Sequence, residues 1–179
     1  DKTGTITNGT PVVTDVVTAD FSDADALIRL AASLEVASEH PLGEAIVAKA
    51  KEQGAAFDEV TNFEAIPGFG IKGHVGETLV FLGNEKWMRE NGLANAKMNE
   101  QANHFAEQGK TPLYIGYNDA VQGLIVVADT VKESSARAIQ TLHEMGIQVA
   151  MMTGDHERTA QAIAAEVGID RVFSEVLPQ

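Results

Sequence analysis

The chain has 179 residues, of which 44% are hydrophobic, so it can bury a substantial core as one domain or as two small ones. Its 13 basic and 26 acidic side chains give a formal net charge of −13, which argues against a nucleic-acid partner because phosphate backbones attract patches of Lys and Arg. No apolar run approaches the roughly 20 residues that cross a bilayer, and the lack of cysteine excludes disulfides and thiolate metal sites, so we expect a soluble chain.

The first seven residues, DKTGTIT, combine a carboxylate with hydroxyl side chains and a glycine. An aspartate can accept a phosphoryl group covalently, and close-approaching backbone amides can hold that group in place. The pattern therefore favours Asp1 as a nucleophile in a phosphate-binding loop, with Lys2 offsetting negative charge, although a solvated terminal turn has a similar composition. Such loops usually follow a buried strand, so we expect this chain to be a fragment.

The next stretch predicts two helices that follow a short strand or hinge. The apolar segment from Pro11 to Val17 leads out of the loop, and Ser22 is predicted to cap the first helix. Pro41 favours the first turn of a second helix, which we expect to run from Leu42 to Gln53. His40 lies at the junction of the two helices, where it could orient a ligand or serve as an ordinary capping residue.

A glycine-rich segment, Pro67-Gly68-Phe69-Gly70-Ile71-Lys72-Gly73, lies between strand-like stretches at 60–66 and 78–82. It contains the spacing of a dinucleotide fingerprint, but residues 74–80 alternate like a strand and do not open a helix, so that interpretation is rejected. Glycines between two strands suit a tight turn that approaches a flat ligand. A plain glycine hairpin is the alternative.

Helix signals then follow at residues 85–91, capped by Asn84, and at 96–108, capped by Asn95. Alternating segments at 111–117 and 121–128 predict a hairpin. From residue 129 onward the pattern becomes helix, strand, helix, at 131–145, 147–152 and 157–167. Thr153-Gly154-Asp155 follows the predicted strand, at the end where parallel sheets bind ligands, and Asp155 could also cap the last helix.

DKTGT followed by Ile-Thr resembles the phosphorylation signature of P-type ATPases. The resemblance implies that Asp1 is phosphorylated, that Asp1 and the backbone carbonyl of Thr3 bind Mg²⁺, and that Lys2 belongs to the same catalytic loop. Thr153, Gly154 and Asp155 match a Thr-Gly-Asp motif whose threonine contacts the phosphoryl oxygen. Asp129 and Lys132 fall in a family segment at the domain junction. Related phosphatases have a second aspartate where Thr3 stands, so hydrolysis of the acyl phosphate should be slow.

Ser38-Glu39-His40-Pro41-Leu42 resembles the motif of heavy-metal-transporting P-type ATPases in which the histidine orients ATP. The resemblance places Glu35 on the adenine side of the nucleotide. It also maps a Gly-x-Gly that borders the adenine and ribose, together with a Gly-Asn pair after the following strand. The implied nucleotide-binding residues are Glu35, His40, Gly68, Gly70, Ile71, Gly83 and Asn84.

The implied fold is α/β: a haloacid dehalogenase-like phosphorylation core made of residues 1–13 and 124–179. Residues 14–123 would form an inserted α+β nucleotide-binding domain with an antiparallel sheet flanked by helices. In the intact parent, ATP with Mg²⁺ would phosphorylate Asp1 to drive export of a heavy-metal ion, with copper preferred and zinc or cadmium open. The parent would lie in the cell membrane, with this region on the cytoplasmic face beside membrane, actuator and metal-binding domains.

Two other functions stay open: a soluble haloacid dehalogenase-type phosphatase and a nucleotide-sensing module without catalysis. In the pump family, a lysine that neutralises the phosphoryl group follows the match to Leu177-Pro178, and an aspartate pair for Mg²⁺ lies beyond it. We therefore expect the 179 residues to bind nucleotide with little or no phosphorylation or turnover.

Overall fold

A computed structural model describes residues 1–19, 23–38, 40–154, 157–174 and 176, with the side chains of residues 41 and 158 left out. Five residues named in the predictions lie outside the described residues: Ser22, Glu39, Asp155, Leu177 and Pro178. The elements are, in chain order, β1 (Thr7–Thr18), α1 (Ala24–Glu35), α2 (Pro41–Glu52), β2 (Val60–Ile66), β3 (Gly70–Val75), β4 (Thr78–Gly83), α3 (Glu85–Glu90), α4 (Ala96–Glu107), β5 (Thr111–Tyr117), β6 (Ala120–Val131), α5 (Ser135–Glu144), β7 (Ala150–Met152), α6 (Glu157–Val167) and β8 (Arg171–Phe173).

The larger sheet has six strands in the order β1-β6-β5-β4-β3-β2. The pairs β2–β3, β3–β4 and β4–β5 are antiparallel, whereas β7 and β8 form a separate parallel pair. The predicted α/β class, with an antiparallel sheet flanked by helices, is confirmed.

The chain divides into two compact units. The first unit comprises Asp1–Pro11, His104–Thr111 and Ala128–Gln179, and the second comprises Val12–Asn103 and Pro112–Val127. β1, α4, β5 and β6 therefore contribute residues to both units. The assignment of a phosphorylation domain to 1–13 and 124–179, and of a nucleotide-binding domain to 14–123, stays a prediction.

The second unit has a core between its sheet and the pair α1 and α2. The periodic apolar positions of α1 are fully buried, including Leu27, Ile28 and Leu34, and they pack in one cluster with Ile46 of α2 and Leu82 of β4. Burial of each such side chain is worth about 1.5–3 kcal/mol, so this contact fixes the position of the helices on the sheet.

The first unit has a smaller core that holds the parallel strand pair against α6. Met151 of β7 is fully buried with Ala160, Ile163 and Ala164, which lie on one side of α6 at helical spacing. Gly109 lies close to α6, since a Cβ there would be 3.3 Å from the Ala162 Cβ. Among the described residues, no helix is both long enough and apolar enough to span a membrane.

Several predicted boundaries differ from the structure. Asp23 caps α1 by accepting a hydrogen bond from the Asp25 amide, and the predicted cap, Ser22, lies outside the described residues. The strand predicted at 147–152 covers only Ala150–Met152. Residues 74–80 are not one strand, because a turn at Gly76 and Glu77 separates β3 from β4. β6 extends to Val131, so α5 begins at Ser135 and not at 131.

Candidate functional site

The Asp1 loop exposes its carboxylate and turns its lysine inward. Asp1 and Thr3 are exposed, whereas Lys2 is only 7% exposed. Gly4 has a φ of 75° and packs against the chain at Gly9, where a Cβ would lie 3.0 Å from the Gly4 Cα. The glycines therefore let the loop fold back on itself while Asp1 stays accessible.

Thr7 is fully buried and connects the loop to the end of β6. Its hydroxyl accepts from the Gly4 amide, lies 3.1 Å from the Lys2 carbonyl and donates to the carboxylate of Asp129. The other oxygen of that carboxylate accepts from the Gly9 amide at 2.9 Å. The Thr7 hydroxyl and the Asp129 carboxylate thus cross-link the loop, because together they bond to Lys2 and Gly4 within it and to Gly9 beyond it.

Two further side chains hold the carbonyls of the loop. Lys132 donates from Nζ to the Gly4 carbonyl at 2.6 Å, and Ser135 donates from Oγ to the Ile6 carbonyl at 2.7 Å. The Lys132 amide also donates to the Ile6 carbonyl at 3.0 Å. The sequence prediction assigned no role to Thr7 or Ser135, and it noted Asp129 and Lys132 only as part of a junction segment.

Thr153 directly follows β7, and its backbone is hydrogen-bonded to Phe173 of β8 and to Val176. Its amide donates to the Phe173 carbonyl at 2.9 Å, and its carbonyl accepts from the Val176 amide at 3.1 Å. Thr153 is buried and Gly154 is exposed, in the same unit as Asp1. The pair therefore lies at the carboxyl end of a parallel strand, as predicted, while Asp155 is outside the described residues.

In the second unit, Glu35 is a buried carboxylate at the end of α1. It is only 7% exposed, and its Oε2 has no hydrogen-bond partner among the described residues. Burial raises the pKa of this carboxyl, and the hydrogen bond from the Ser38 side chain lowers it in part. A Cβ on Gly43, in the first turn of α2, would lie 2.2 Å from Oε2, so the carboxylate occupies the space that this glycine leaves.

His40 caps α2, the helix whose first turn contains Gly43. Its Nδ1 accepts from the Leu42 amide at 3.2 Å, which leaves Nε2 protonated in the neutral ring and available as a donor. The His40 amide donates to Ser38 Oγ at 3.2 Å. Ser38 therefore joins Glu35 to His40, and we call these three residues the helix junction. Ser38 belongs to the predicted motif, but the sequence predicted no role for it.

The second predicted group is the glycine turn, which we define as Pro67 to Gly70. Gly70 pairs with Gly83 across β3 and β4, and the two backbones are so close that a Cβ on Gly70 would lie 2.2 Å from the Leu82 carbonyl oxygen. Asn84 donates from Nδ2 to the Gly68 carbonyl at 2.8 Å, and its amide donates to the Phe69 carbonyl at 2.9 Å. The predicted Gly-x-Gly and Gly-Asn pairs thus form one structure.

Ile71 differs from its neighbours in the predicted set. Ile71 is only 8% exposed and belongs to the core cluster that includes Leu34, so its side chain packs in the core and is not open to a ligand. The same core links the two groups, since a Cβ on Gly73 would lie 2.9 Å from Leu34 Cδ2. The last turn of α1 therefore packs on β3, three residues (about 10 Å of extended chain) from Gly70.

A surface cavity of 290 Å³ lies at the opposite end of α1 from Glu35. Its lining includes Asp23, Asp25 and Arg29 and none of the predicted site residues. A lining with two carboxylates does not suit a polyphosphate, so this cavity does not replace the predicted site.

The residues present fit Mg²⁺ only in part. The described residues include no group of three or more His, Asp or Glu side chains that could hold a metal. Mg²⁺ keeps several waters and binds through one or two carboxylates together with substrate phosphates, so the exposed Asp1 carboxylate and the Thr3 carbonyl suit part of such a shell.

Comparisons with known proteins identify the family of the chain. Residues 1–178 match the family described as haloacid dehalogenase-like hydrolase. Copper-transporting ATPase 2 of Rhizobium meliloti is 46% identical over all 179 residues, which span 22% of that protein. The copper-exporting P-type ATPase of Staphylococcus aureus is 47% identical over 180 aligned residues, covering 100% of this chain and again 22% of the relative.

A solved structure of a zinc-transporting PIB-type ATPase in the E2.Pi state aligns with 98% of this chain and 28% of its own. The TM-score is 0.83 at 31% identity. The chain thus spans less than a third of the length of each of these three relatives, and the predicted resemblance to heavy-metal P-type ATPases is confirmed.

Proposed function

Because the chain belongs to the haloacid dehalogenase-like hydrolases, we propose that it is the nucleotide-binding and phosphorylation region of a heavy-metal-exporting P-type ATPase. Relatives named as copper pumps match the whole chain at 46–47% identity, which supports copper as the ion. The zinc-transporting structure keeps zinc as the second candidate. In this proposal the region works on the cytoplasmic side of the parent protein.

The observation that carries the proposal is the buried carboxylate of Glu35. An unpartnered buried carboxylate oxygen is unfavourable in the free protein, so it is a natural acceptor for a ligand donor such as the exocyclic amine of adenine. His40 caps the neighbouring helix and has Nε2 free to donate to the same ligand. The glycine turn supplies close backbone for the flat base and ribose, with Asn84 holding its carbonyls.

In the parent protein, the proposed reaction is phosphoryl transfer to Asp1. A carboxylate oxygen of Asp1 attacks the γ-phosphorus of ATP, the bond to the β,γ-bridging oxygen breaks, and ADP leaves with that oxygen. Water then hydrolyses the resulting acyl phosphate, which regenerates the carboxylate and releases phosphate. Thr3 stands where related phosphatases have an acid/base aspartate, so this second step is slow and the intermediate persists.

The chain's own residues keep Asp1 in place for this reaction. Thr7, Asp129, Lys132 and Ser135 fix the loop through its amides and carbonyls, so the carboxylate need not be ordered when the phosphoryl group arrives. Asp1 and the Thr3 carbonyl would hold Mg²⁺, which supplies charge neutralisation on the phosphates when bound. Thr153 would donate its hydroxyl to a phosphoryl oxygen.

Calorimetric titration with a nonhydrolysable ATP analogue tests the proposal on the purified chain. We expect His40→Gln to weaken binding by about tenfold or more, because it removes the imidazole donor and alters the cap of α2. His104→Gln is the matched control, since His104 is an exposed histidine in the first unit. Equal affinities of wild type and His40→Gln, or no binding by the wild type, would contradict the proposal.

A second measurement separates a pump region from a free phosphatase. Rapid multiple turnover of p-nitrophenyl phosphate by the wild type, abolished in Asp1→Asn, would favour the soluble phosphatase. Nucleotide binding without such turnover supports the pump region.

A further inference from the structure

We infer that Trp87 is a positioning residue that holds the glycine turn in its nucleotide-binding conformation. The inference rests on the proposed function, because it concerns the same nucleotide. The contacts of Trp87 show that both its ring and its backbone are attached to the turn.

The ring of Trp87 packs against the glycine turn and the strand paired with it. It is only 8% exposed, and a Cβ on Gly83 would lie 3.0 Å from its Cδ1, so the indole lies directly on the glycine that pairs with Gly70. The rings of Phe69 and Phe81 each approach it edge-on, with centroids 6.0 Å away. Such edge-on aromatic pairs are favourable beyond the burial of their area.

The backbone of Trp87 reaches the same turn through Asn84. The Trp87 amide donates to Asn84 Oδ1 at 2.8 Å, and Asn84 Nδ2 donates to the Gly68 carbonyl at 2.8 Å. Asn84 therefore uses both ends of its amide group, one for α3 and one for the turn. Any shift of Trp87 is transmitted to Gly68 by this bond and to Phe69 by ring contact.

The outer side of Phe69 is covered as well. The Lys86 ammonium lies 4.6 Å from the centroid of the Phe69 ring, at cation–π distance. Phe69 is thus held between Lys86 and Trp87, two consecutive residues of α3. The flanking residues Gly68 and Gly70 have no side chain, so Phe69 supplies the side-chain anchor of the turn, in addition to the hydrogen bonds from Asn84.

The indole N–H takes no part in this support. Trp87 Nε1 has no hydrogen-bond partner among the described residues. Replacing Trp87 by Phe therefore loses no hydrogen bond and keeps an aromatic face against Phe69 and Gly83. An aliphatic or small side chain loses that face. The inference therefore predicts rescue by Phe and not by Ala.

The test is calorimetric titration of the purified chain with ADP, below the unfolding temperature of every variant. We expect Trp87→Ala to weaken ADP binding by about tenfold or more and Trp87→Phe to stay within about threefold of wild type. Met98→Ala, which empties a fully buried site elsewhere in the second unit, should lower the melting temperature without weakening ADP binding.

A second pair of variants keeps the inference testable if Trp87→Ala does not fold. Phe69 and Phe81 lie equally far from Trp87, but only Phe69 belongs to the glycine turn. Phe69→Leu should therefore weaken ADP binding by several-fold more than Phe81→Leu. Equal losses from the two would overturn the inference.

Nuclear magnetic resonance adds a readout that a general loss of stability would not move. Trp87 is the single tryptophan, so the chain has one indole N–H resonance, and it should shift on ADP saturation. In Trp87→Ala, the free-state amide signals of Gly68 and Gly70 should move while those of the first unit stay.

Two further results overturn the inference while leaving the proposed function intact: a Trp87→Ala affinity within threefold of a wild type that binds ADP, or an equal affinity loss in Met98→Ala. A wild type that does not bind ADP overturns the proposed function itself, and the inference with it.

Discussion

Substitution of Gly70 by alanine should destabilise the chain strongly, because the added methyl group would meet fixed backbone. A Cβ there would lie 2.2 Å from the Leu82 carbonyl oxygen and 2.7 Å from the Gly83 Cα. To restore an ordinary contact of 3.4 Å, the Leu82 oxygen would have to retreat by about 1.2 Å, from a strand that is hydrogen-bonded on both sides. Neither neighbour is a side chain that could rotate away.

The expected magnitude comes from two terms. Overpacking costs about 1–3 kcal/mol, and the Gly70 φ of 155° adds about 1–2 kcal/mol for a residue with a Cβ. The sum, about 2–5 kcal/mol, corresponds to a fall in melting temperature of about 4–20 °C for a chain of this size.

Gly68 and Gly76 provide matched controls in the same β-hairpin region. Both have positive φ, 78° and 60°, and a Cβ on either would meet nothing within 4 Å. Alanine at either position should therefore cost only about 1–2 kcal/mol of backbone strain. Only the Gly68 variant should also weaken nucleotide binding, because only Gly68 belongs to the glycine turn.

Thermal unfolding by circular dichroism, with calorimetric titration of nucleotide, measures these differences. A Gly70→Ala melting temperature within 2 °C of the Gly76→Ala value would refute the reasoning, since the close approach of β3 and β4 would then be absent.

Two further predictions concern pH. Burial raises the Glu35 pKa above 4.5. The ionised carboxyl therefore destabilises the fold at neutral pH, and this penalty disappears as the pH falls to the pKa of the carboxyl in the unfolded chain. Glu35→Gln should be more stable than wild type at pH 7 and equal to it below pH 4.5, as measured by urea denaturation. The hydrogen bond from the Val149 amide, and to a smaller extent the one with His143, lowers the Asp170 pKa below 3.8. The ionised Asp170 carboxylate therefore stabilises the fold above pH 3.8, and this stabilisation is lost as the pH falls through the folded-state pKa. Asp170→Asn should be less stable than wild type at pH 6, and a difference that persists at pH 2 would contradict this assignment.

The local signals in the sequence predicted much of the fold. Asn84 before an amphipathic segment predicted α3, and Pro41 after His40 predicted the first turn of α2, because caps and proline act within one helical turn. The hairpin turn at Gly76 was missed because residues 74–80 alternate in polarity straight through it. The three-residue strand β8 had no distinct pattern at all.

Contacts between distant residues were beyond such signals. The Thr7 hydroxyl meets Asp129 across 122 positions, and nothing near either residue indicates the other. The pairing of Gly70 with Gly83 follows from the register of β3 on β4, which the missed turn sets. Motif resemblance identified Gly83 and Asn84 as members of a site, whereas only the structure joined them to Gly68.

Four buried polar atoms lack a partner among the described residues: Glu35 Oε2, His74 Nδ1, Trp87 Nε1 and Gln101 Oε1. Lack of a partner alone does not mark a ligand site, because His74 and Gln101 lie outside the helix junction and the glycine turn. Glu35 differs because its group is a carboxyl, for which an unpaired ionised form costs far more than an unpaired amide or ring nitrogen. A chain under selection for stability alone could replace it with glutamine at no loss of volume. We therefore propose that a ligand donor meets Oε2, at the helix end that Glu35 shares with His40, when the nucleotide binds.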